Sequence, residues 1–173
     1  DRTYRTMASR DHRAIAGLSM GGFGAVTLAL RYPDVFAAAA SHSGVLAPRE
    51  WAPRAFATAV PHTDADSTAV PEWRRALEPS MLLSFGPDSI GWNTRDPVAL
   101  LDRARAKHVA LPALYADCGT EDVFLPGNRA FRDSVRQRGV PMEYHEAPGA
   151  HRAAYWRAHI GESLAWIMSR IAR

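Results

Sequence analysis

The sequence of 173 residues has little of several features that mark special classes of protein. Lys107 is its only lysine, so the formal net charge of +3 rests on scattered arginines, which argues against a nucleic-acid-binding surface. No apolar run reaches the roughly 20 residues that a membrane-spanning helix needs. Cys118 is the only cysteine, which excludes an internal disulfide and leaves the cellular compartment undecided. The first residues contain no signal-peptide pattern.

The composition that remains is that of an ordinary globular protein. Hydrophobic residues make up 47% of the chain and charged residues 23%, close to the usual balance. A chain of this length is about the size of one domain, and it contains no internal repeat. We therefore interpret residues 1–173 as a single domain.

Strand-like and helix-like segments alternate along the chain, which predicts an α/β fold with a mostly parallel sheet and helices on both faces. The predicted strands are 14–17, 35–43, 111–118 and 140–147, and the predicted helices are 23–32, 97–107 and 128–138. A closing helix carries an apolar stripe formed by Trp156, Ile160, Leu164, Ile167 and Ile171. Residues 47–97 are irregular and rich in proline, which predicts a partly helical excursion that covers the active site.

The strongest chemical signal is a serine flanked by glycines between a predicted strand and a predicted helix. Gly17, Ser19 and Gly21 form a Gly-x-Ser-x-Gly pattern. A sharp strand-to-helix turn strains the serine backbone, needs small neighbours, and exposes the hydroxyl as a nucleophile. The backbone N–H of Met20, at the start of the helix, is then placed to stabilise an oxyanion. A plain Gly/Ser turn without chemistry is the alternative, which the strand and helix context disfavours.

A serine nucleophile needs a base, and His151 fits that role. A serine on such a turn is followed along the chain by an acid and then by a histidine. His151 follows the last predicted strand through a loop at the carboxyl end of the sheet, the edge that also carries Ser19. The other six histidines precede the candidate acids or fall within predicted elements, and we interpret them as surface or packing residues.

The orienting acid is expected in the loop after the third predicted strand. Asp117, Glu121 and Asp122 compete there. We predict Asp122, because it lies beyond the turn at Gly119, whereas Asp117 still belongs to the strand end. Cys118 is an alternative nucleophile with the same base, although its apolar neighbours favour a buried structural thiol.

Three further side chains are candidate substrate contacts, namely His42, Trp92 and Trp156. His42 ends the second predicted strand, close to the site. Trp51 and Trp73 are additional candidates for an acyl or aryl site, with core packing an equal alternative. No spacing of histidine, cysteine and carboxylate residues predicts a metal site, and no phosphate-binding or dinucleotide-binding motif is present, so no cofactor is implied.

Four segments of the sequence resemble the esterase D-like branch of the α/β-hydrolases, a branch with S-formylglutathione hydrolases, tributyrin and feruloyl esterases, and related mycolyltransferases. They are residues 16–22, the alanine-rich strand that ends at Ser43-Gly44, residues 117–124, and residues 148–151 with the Tyr155-Trp156 pair. The resemblance covers most of the chain, with residues 51–93 the least recognisable. It implies that the triad acid is the aspartate two residues before a phenylalanine, which is Asp122.

The resemblance also implies that the N-terminal strands of the fold lie outside this sequence, together with the loop that supplies the second oxyanion N–H. We therefore expect this chain, the C-terminal part of an α/β-hydrolase fold, to associate with the missing half or with a second copy of itself. The predicted activity is that of a serine carboxylesterase acting on a small-molecule ester. The alternatives are acyl transfer, as in the mycolyltransferases, and a non-catalytic assembly module.

Overall fold

A computed structural model describes residues 3–4, 6–51, 72–86 and 89–171. Four strands form one sheet in the order β1-β2-β3-β4, and every neighbouring pair is parallel. The strands are β1 (Ala14–Leu18), β2 (Ala38–His42), β3 (Ala113–Gly119) and β4 (Met142–Ala147). This confirms the predicted α/β class with a parallel sheet.

Six α-helices lie within the described residues. They are α1 (Met20–Arg31), α2 (Glu72–Phe85), α3 (Ser89–Arg95), α4 (Pro97–Ala106), α5 (Leu125–Gln137) and α6 (Ala153–Ile171). The main core lies between the sheet and the face covered by α1, α4 and α5, with Val26, Leu101 and Phe131 among its members. The opposite face is covered by α6, where Tyr115 of β3 packs with Ile167. Helices therefore cover both faces, as predicted.

The register of the sheet aligns its carboxyl ends. Leu18 pairs with His42, His42 with Asp117, and Asp117 with His145. The loops that follow β1, β2 and β3 therefore leave the sheet at one edge, where parallel sheets place their functional residues. Strands β2 and β3 are almost fully buried because both of their faces are covered by helices.

The buried face of α6 differs from the prediction. Ile160 and Leu164 are 43% and 49% exposed, while Tyr155, Ser163 and Ile167 are buried. The expected stripe was wrong in part. Ile167 is buried and Ile171 packs beside it. Ile160 and Leu164 instead lie on the outer side of the helix, and a polar serine, held by hydrogen bonds, occupies the inner side. Apolar periodicity alone could not distinguish the two sides.

The excursion at 47–97 is partly helical in its described residues. Residues 72–85 and 89–95 form α2 and α3, whereas residues 52–71 and 87–88 lie outside the described part. Their aromatic side chains form a second core in which Phe85 stacks on Trp92 with ring centroids 4.6 Å apart. This core includes Phe124 and contacts Phe23 of α1, so both helices pack close to the edge of the sheet that carries Ser19.

Candidate active site

Ser19 occupies a strained turn between β1 and α1. Its backbone dihedrals are φ 53° and ψ −122°, a region that residues with a side chain rarely adopt. Two hydrogen bonds hold this conformation: the Ser19 N–H donates to the carbonyl of His42 at 2.8 Å, and the Phe23 N–H donates to the carbonyl of Ser19 at 3.1 Å. The sequence predicted this strain, and the surrounding structure maintains it.

Close packing at the turn depends on Gly17 and Gly22, of which only Gly17 belongs to the Gly-x-Ser-x-Gly pattern. A Cβ on Gly17 would lie closer than 3.0 Å to the backbone of Gly21, and a Cβ on Gly22 would overlap a serine side chain of β2. A Cβ on Gly21 or Gly24 would meet nothing within 4 Å, so Gly22 is the glycine of α1 whose missing side chain lets the helix approach the sheet.

The structure brings Ser19, His151 and Asp122 together. His151 Nε2 lies 2.9 Å from Ser19 Oγ, and His151 Nδ1 lies 2.9 Å and 3.1 Å from the two carboxylate oxygens of Asp122. An ionised carboxylate can only accept, so Nδ1 carries a proton and Nε2 accepts the hydroxyl proton of Ser19. This geometry would allow the Ser19 hydroxyl to act as a nucleophile, His151 as a base and Asp122 as an orienting acid.

The Asp122 carboxylate is buried and held from several sides. Its side chain is 0% exposed, and Oδ1 accepts the backbone N–H of Phe124 at 2.9 Å. Burial alone would raise the pKa of Asp122, but the hydrogen bonds from His151 and Phe124 and the nearby hydroxyl of Ser43 outweigh it and lower that pKa below its usual value. The carboxylate therefore stays charged, as stabilisation of an imidazolium requires.

The competing acids lie elsewhere. Asp117 is 1% exposed, and its carboxylate lies beside the His42 ring, on the sheet face covered by α6. Glu121 is exposed, and its carboxylate accepts the hydroxyl of Thr120 at 3.1 Å. Neither contacts His151 in the way that Asp122 does.

The loops that carry Asp122 and His151 are hydrogen-bonded to each other. Thr120 N–H donates to the carbonyl of Ala147 at 2.9 Å, and Glu121 N–H donates to the carbonyl of Gly149 at 3.0 Å. A Cβ on Gly119 would overlap the Gly149 carbonyl, so these two loops approach too closely for any side chain there. This packing fixes the separation of Asp122 and His151.

Two aromatic rings flank the His151 imidazole. Phe124 and Trp156 each lie with their ring centroids 4.9 Å from that of His151, at interplanar angles of 72° and 88°. The His151 side chain is 24% exposed, so one part of the ring still faces the outside. Trp156, one of the predicted substrate contacts, is thus adjacent to the base.

The other predicted contacts are buried. His42 is 3% exposed and points towards α6. Trp92 is 2% exposed and donates its Nε1–H to the carbonyl of Gly86 at 3.0 Å. This geometry favours packing roles for both. The side chains of Trp51 and Trp73 lie outside the described part of the structure.

Met20 and Cys118 have contrasting environments. Met20 is the first residue of α1, so its N–H has no acceptor within the helix and is available to a substrate oxyanion. Cys118 is 0% exposed, and burial, together with the charge of Asp122, raises its pKa to about 12. A thiol this hard to ionise is a poor nucleophile.

Sequence reasoning missed one grouping of buried polar side chains. Ser163 Oγ lies 2.8 Å from His42 Nε2, and Asp117 Oδ2 lies 2.7 Å from His42 Nδ1. The three residues come from two strands and a distant helix, so no local spacing in the sequence indicated that they meet. The alternation of β2 and β3 placed His42 and Asp117 on one face of the sheet, which was the only available signal.

With this geometry established, similarity to solved structures identifies the fold as that of the α/β-hydrolases. An S-formylglutathione hydrolase of Staphylococcus aureus superposes with a TM-score of 0.71 and 27% identity, over 96% of this chain and 58% of that chain. A ferulic acid esterase superposes with a TM-score of 0.68 and 25% identity, over 98% of this chain and 55% of that chain.

Residues 1–167 match the model of the Esterase family, described as "Putative esterase", and the chain belongs to that family. An esterase of Mycobacterium tuberculosis is 35% identical over 155 residues, 86% of this chain and 32% of the relative. An acetyl esterase of Caldicellulosiruptor saccharolyticus is 25% identical over 163 residues, 94% of this chain and 56% of the relative. The chain thus spans between about a third and rather more than half of the length of these relatives.

Among the described residues, no helix is both long and apolar enough to cross a bilayer, and no cluster of histidine, cysteine and carboxylate side chains could hold a metal ion.

Proposed function

We propose that this chain carries the catalytic triad of a serine carboxylesterase, with Ser19 as nucleophile, His151 as base and Asp122 as orienting acid. The observation that supports this most directly is the continuous contact from Ser19 Oγ through His151 to Asp122, with each step 2.9 Å long. The strained backbone of Ser19 supports it independently, because such strain is typical of functional residues. Membership of the Esterase family supports the same reaction class.

In the first half of the reaction, Ser19 Oγ attacks the carbonyl carbon of a carboxylic ester while His151 Nε2 takes the hydroxyl proton. The carbonyl oxygen becomes an oxyanion, which the N–H of Met20 and the N-terminus of α1 stabilise. The imidazolium is stabilised by the Asp122 carboxylate. When the tetrahedral intermediate collapses, the C–O bond to the alcohol breaks, His151 returns the proton to the leaving oxygen, and Ser19 is left acylated.

In the second half, water takes the place of the alcohol. His151 Nε2 removes a proton from the water as its oxygen attacks the acyl carbon, and a second oxyanion forms at the same place. Collapse breaks the bond to Ser19 Oγ, which recovers its proton from His151, and the carboxylic acid departs. The substrate class we propose is a small-molecule acyl or aryl ester whose acyl group lies near Phe124 and Trp156, the two rings that flank His151.

The second oxyanion donor, we propose, lies in the N-terminal half of the fold, supplied outside these 173 residues. Two features of the described surface support this. Strand β1 pairs only with β2 in the described sheet, and the apolar side chains of Leu18 on β1 and of Ile160, Leu164 and Met168 on α6 are between 43% and 54% exposed. A covering polypeptide would bury these groups and pair the free strand edge.

The test compares wild-type chain with Ser19→Ala, His151→Ala and the matched control Ser169→Ala, each assayed on short-chain p-nitrophenyl esters, alone and with the N-terminal half added. Ser169 lies on α6, and its hydroxyl bonds the Trp166 carbonyl, away from the triad. We expect Ser19→Ala and His151→Ala to lose at least about 1000-fold in kcat, with Ser169→Ala unchanged. Equal activity of Ser19→Ala and wild type would contradict the proposal.

The same assay distinguishes hydrolysis from acyl transfer. With an alcohol acceptor added, a hydrolase releases mainly the free acid, whereas a transferase releases mainly the new ester. A native mass measurement tests the association. We expect a complex with the N-terminal half, and a stable 19.0 kDa monomer in its presence would contradict that part of the proposal.

A further inference from the structure

Beneath α6 lies a buried polar chain formed by Ser163, His42 and Asp117. The three residues are 0%, 3% and 1% exposed. His42 Nε2 lies 2.8 Å from Ser163 Oγ, and His42 Nδ1 lies 2.7 Å from Asp117 Oδ2, although the N–H direction does not point straight at that oxygen. The buried polar chain lies too deep in the protein to contact a substrate. Burying a histidine and a carboxylate costs free energy unless they are paired, so we ask what this arrangement contributes to the site.

The hydrogen-bond directions within the buried polar chain follow from its partners. Ser163 Oγ lies 3.0 Å from the carbonyl of Ile160, which can only accept, so the single hydroxyl proton of Ser163 points there. His42 Nε2 must then donate its own proton to Ser163 Oγ. At the other side of the ring, His42 Nδ1 lies 2.7 Å from Asp117 Oδ2 without hydrogen-bond geometry. The orientation of the His42 ring is therefore fixed by the hydrogen bond at Nε2 and by its contact with the Asp117 carboxylate.

A second residue of α6, Tyr155, is buried near the same carboxylate. Burial, together with the charge of Asp117, raises the pKa of the phenols of Tyr155 and of Tyr115 on β3, and neither hydroxyl has a hydrogen-bond partner within the described residues. The ring of Tyr155 packs on Gly149, where an added Cβ would meet Tyr155 Cδ2 at 2.7 Å. Helix α6 is thus held at Tyr155 and, eight residues later, at Ser163.

The buried polar chain connects to the reactive groups through the backbone. The carbonyl of His42 accepts the Ser19 N–H at 2.8 Å, and the carbonyl of Asp117 accepts the Ser43 N–H at 2.8 Å. The hydroxyl of Ser43 lies beside the carboxylate of Asp122. Helix α6 begins at Ala153, only two residues after His151.

We propose that His42, Asp117 and Ser163 are positioning residues, which hold α6 and the His151 loop at a fixed distance from the strand ends that carry Ser19 and Asp122. The proposal rests on the catalytic role proposed for Ser19 and His151. In this role the buried polar chain aligns the reacting atoms, in addition to any contribution to folding. Misplacing a reacting group by about 1 Å costs on the order of 100-fold in rate, so loosening α6 affects turnover more than substrate binding.

The experiment uses Ser163→Ala and Tyr155→Phe, which each remove one hydroxyl from the anchors of α6. Ser169→Ala is the matched control, because that serine makes the same kind of bond to a carbonyl three residues earlier on α6, at 2.6 Å, but is exposed. Val135→Ala controls for lost stability, since Val135 is buried in the core on the other face of the sheet. Turnover is expressed per site titrated with a fluorophosphonate, so that unfolded molecules do not count.

We expect kcat per titrated site to fall roughly 10- to 100-fold in Ser163→Ala and less in Tyr155→Phe, with KM changed less than about twofold. Both controls should keep the wild-type kcat per site, even where Val135→Ala lowers the melting temperature. As a readout that does not need turnover, the ring ¹⁵N signals of His151 should move in Ser163→Ala and stay in place in Ser169→Ala.

The proposal is overturned if Ser163→Ala and Tyr155→Phe keep the wild-type kcat per site and leave the His151 signals unchanged, because the residues would then be purely structural. Should Ser163→Ala fail to fold, the isosteric Tyr155→Phe decides the question. Failure of the esterase proposal gives a different pattern, in which Ser19→Ala retains turnover while the His151 signals still respond to Ser163→Ala.

Discussion

Replacing Gly17 by alanine tests how the turn around Ser19 is built. The added Cβ would lie closer than 3.0 Å to the carbonyl group of Gly21, which is backbone and cannot rotate away as a side chain could. Relief requires the first turn of α1 to separate from β1. Overpacking of this kind costs about 1–3 kcal/mol of unfolding free energy, and we expect the upper half of that range because the obstacle is backbone.

The same displacement lowers activity in Gly17→Ala. The first turn of α1 carries the N–H of Met20, and Ser19 lies directly between the two segments that separate. A shift on the order of 1 Å at reacting groups costs about 100-fold in rate. We therefore expect kcat per folded molecule to fall by about that factor, measured as initial rates on a p-nitrophenyl ester beside urea denaturation of the same preparation.

Gly21→Ala is the matched control, because both glycines belong to the Gly-x-Ser-x-Gly pattern. A Cβ on Gly21 would meet nothing within 4 Å, and the residue lies in the first turn of α1. Alanine there should preserve the rate and stabilise the chain by up to roughly 1 kcal/mol. If Gly17→Ala behaves like Gly21→Ala, the close approach inferred at Gly17 does not govern the turn.

Three further predictions concern Asp122, the buried thiol of Cys118 and the helix cap Asp96. Asp122→Asn should lower kcat about 10⁴-fold by fixing the wrong tautomer of His151. Because folding lowers the pKa of Asp122, the ionised carboxylate stabilises the fold above about pH 4, and this stabilisation disappears as the pH falls through the lowered value. The urea midpoints of wild type and Asp122→Asn should therefore converge in acid. Cys118→Ala should keep the wild-type esterase rate and fluorophosphonate labelling. The native wild-type chain should resist alkylation by iodoacetamide at pH 8, because burial raises the pKa of this thiol to about 12. Loss of labelling in Cys118→Ala would instead indicate that the thiol is the nucleophile. Asp96 caps α4 by accepting the Ala99 N–H at 2.9 Å, so Asp96→Ala should cost about 1–2 kcal/mol in urea denaturation, against less than about 0.5 kcal/mol for Asp11→Ala, whose side chain is 78% exposed.

Sequence reasoning singled out Ser19, His151 and Asp122, which the structure brings together, because each follows from a local pattern. Ser19 lies between glycines at a strand-to-helix turn, and Asp122 and His151 follow strands whose carboxyl ends meet at one edge of a parallel sheet. The fold class followed from the alternation of strands and helices. These features depend on short-range geometry, which the sequence records directly.

What sequence reasoning could not reach depends on contacts between distant segments. The inner side of α6 carries Ser163, whose burial makes sense only once His42 lies opposite, so the apolar residues Ile160 and Leu164 were wrongly assigned to that side. The close approach of α1 at Gly22 likewise depends on a serine of β2. His42 was considered for the substrate pocket because it ends a strand near the site, while the direction of its ring depends on Asp117.

The most direct test of the central claim is peptide mapping after reaction with a fluorophosphonate, on the folded chain alone and with the N-terminal half of the fold added. We predict a single adduct on Ser19, in at least one of the two forms, that disappears in His151→Ala. A folded protein that forms no adduct in either form, or that reacts at Cys118 or another residue, would contradict the assignment of Ser19, His151 and Asp122 as a catalytic triad.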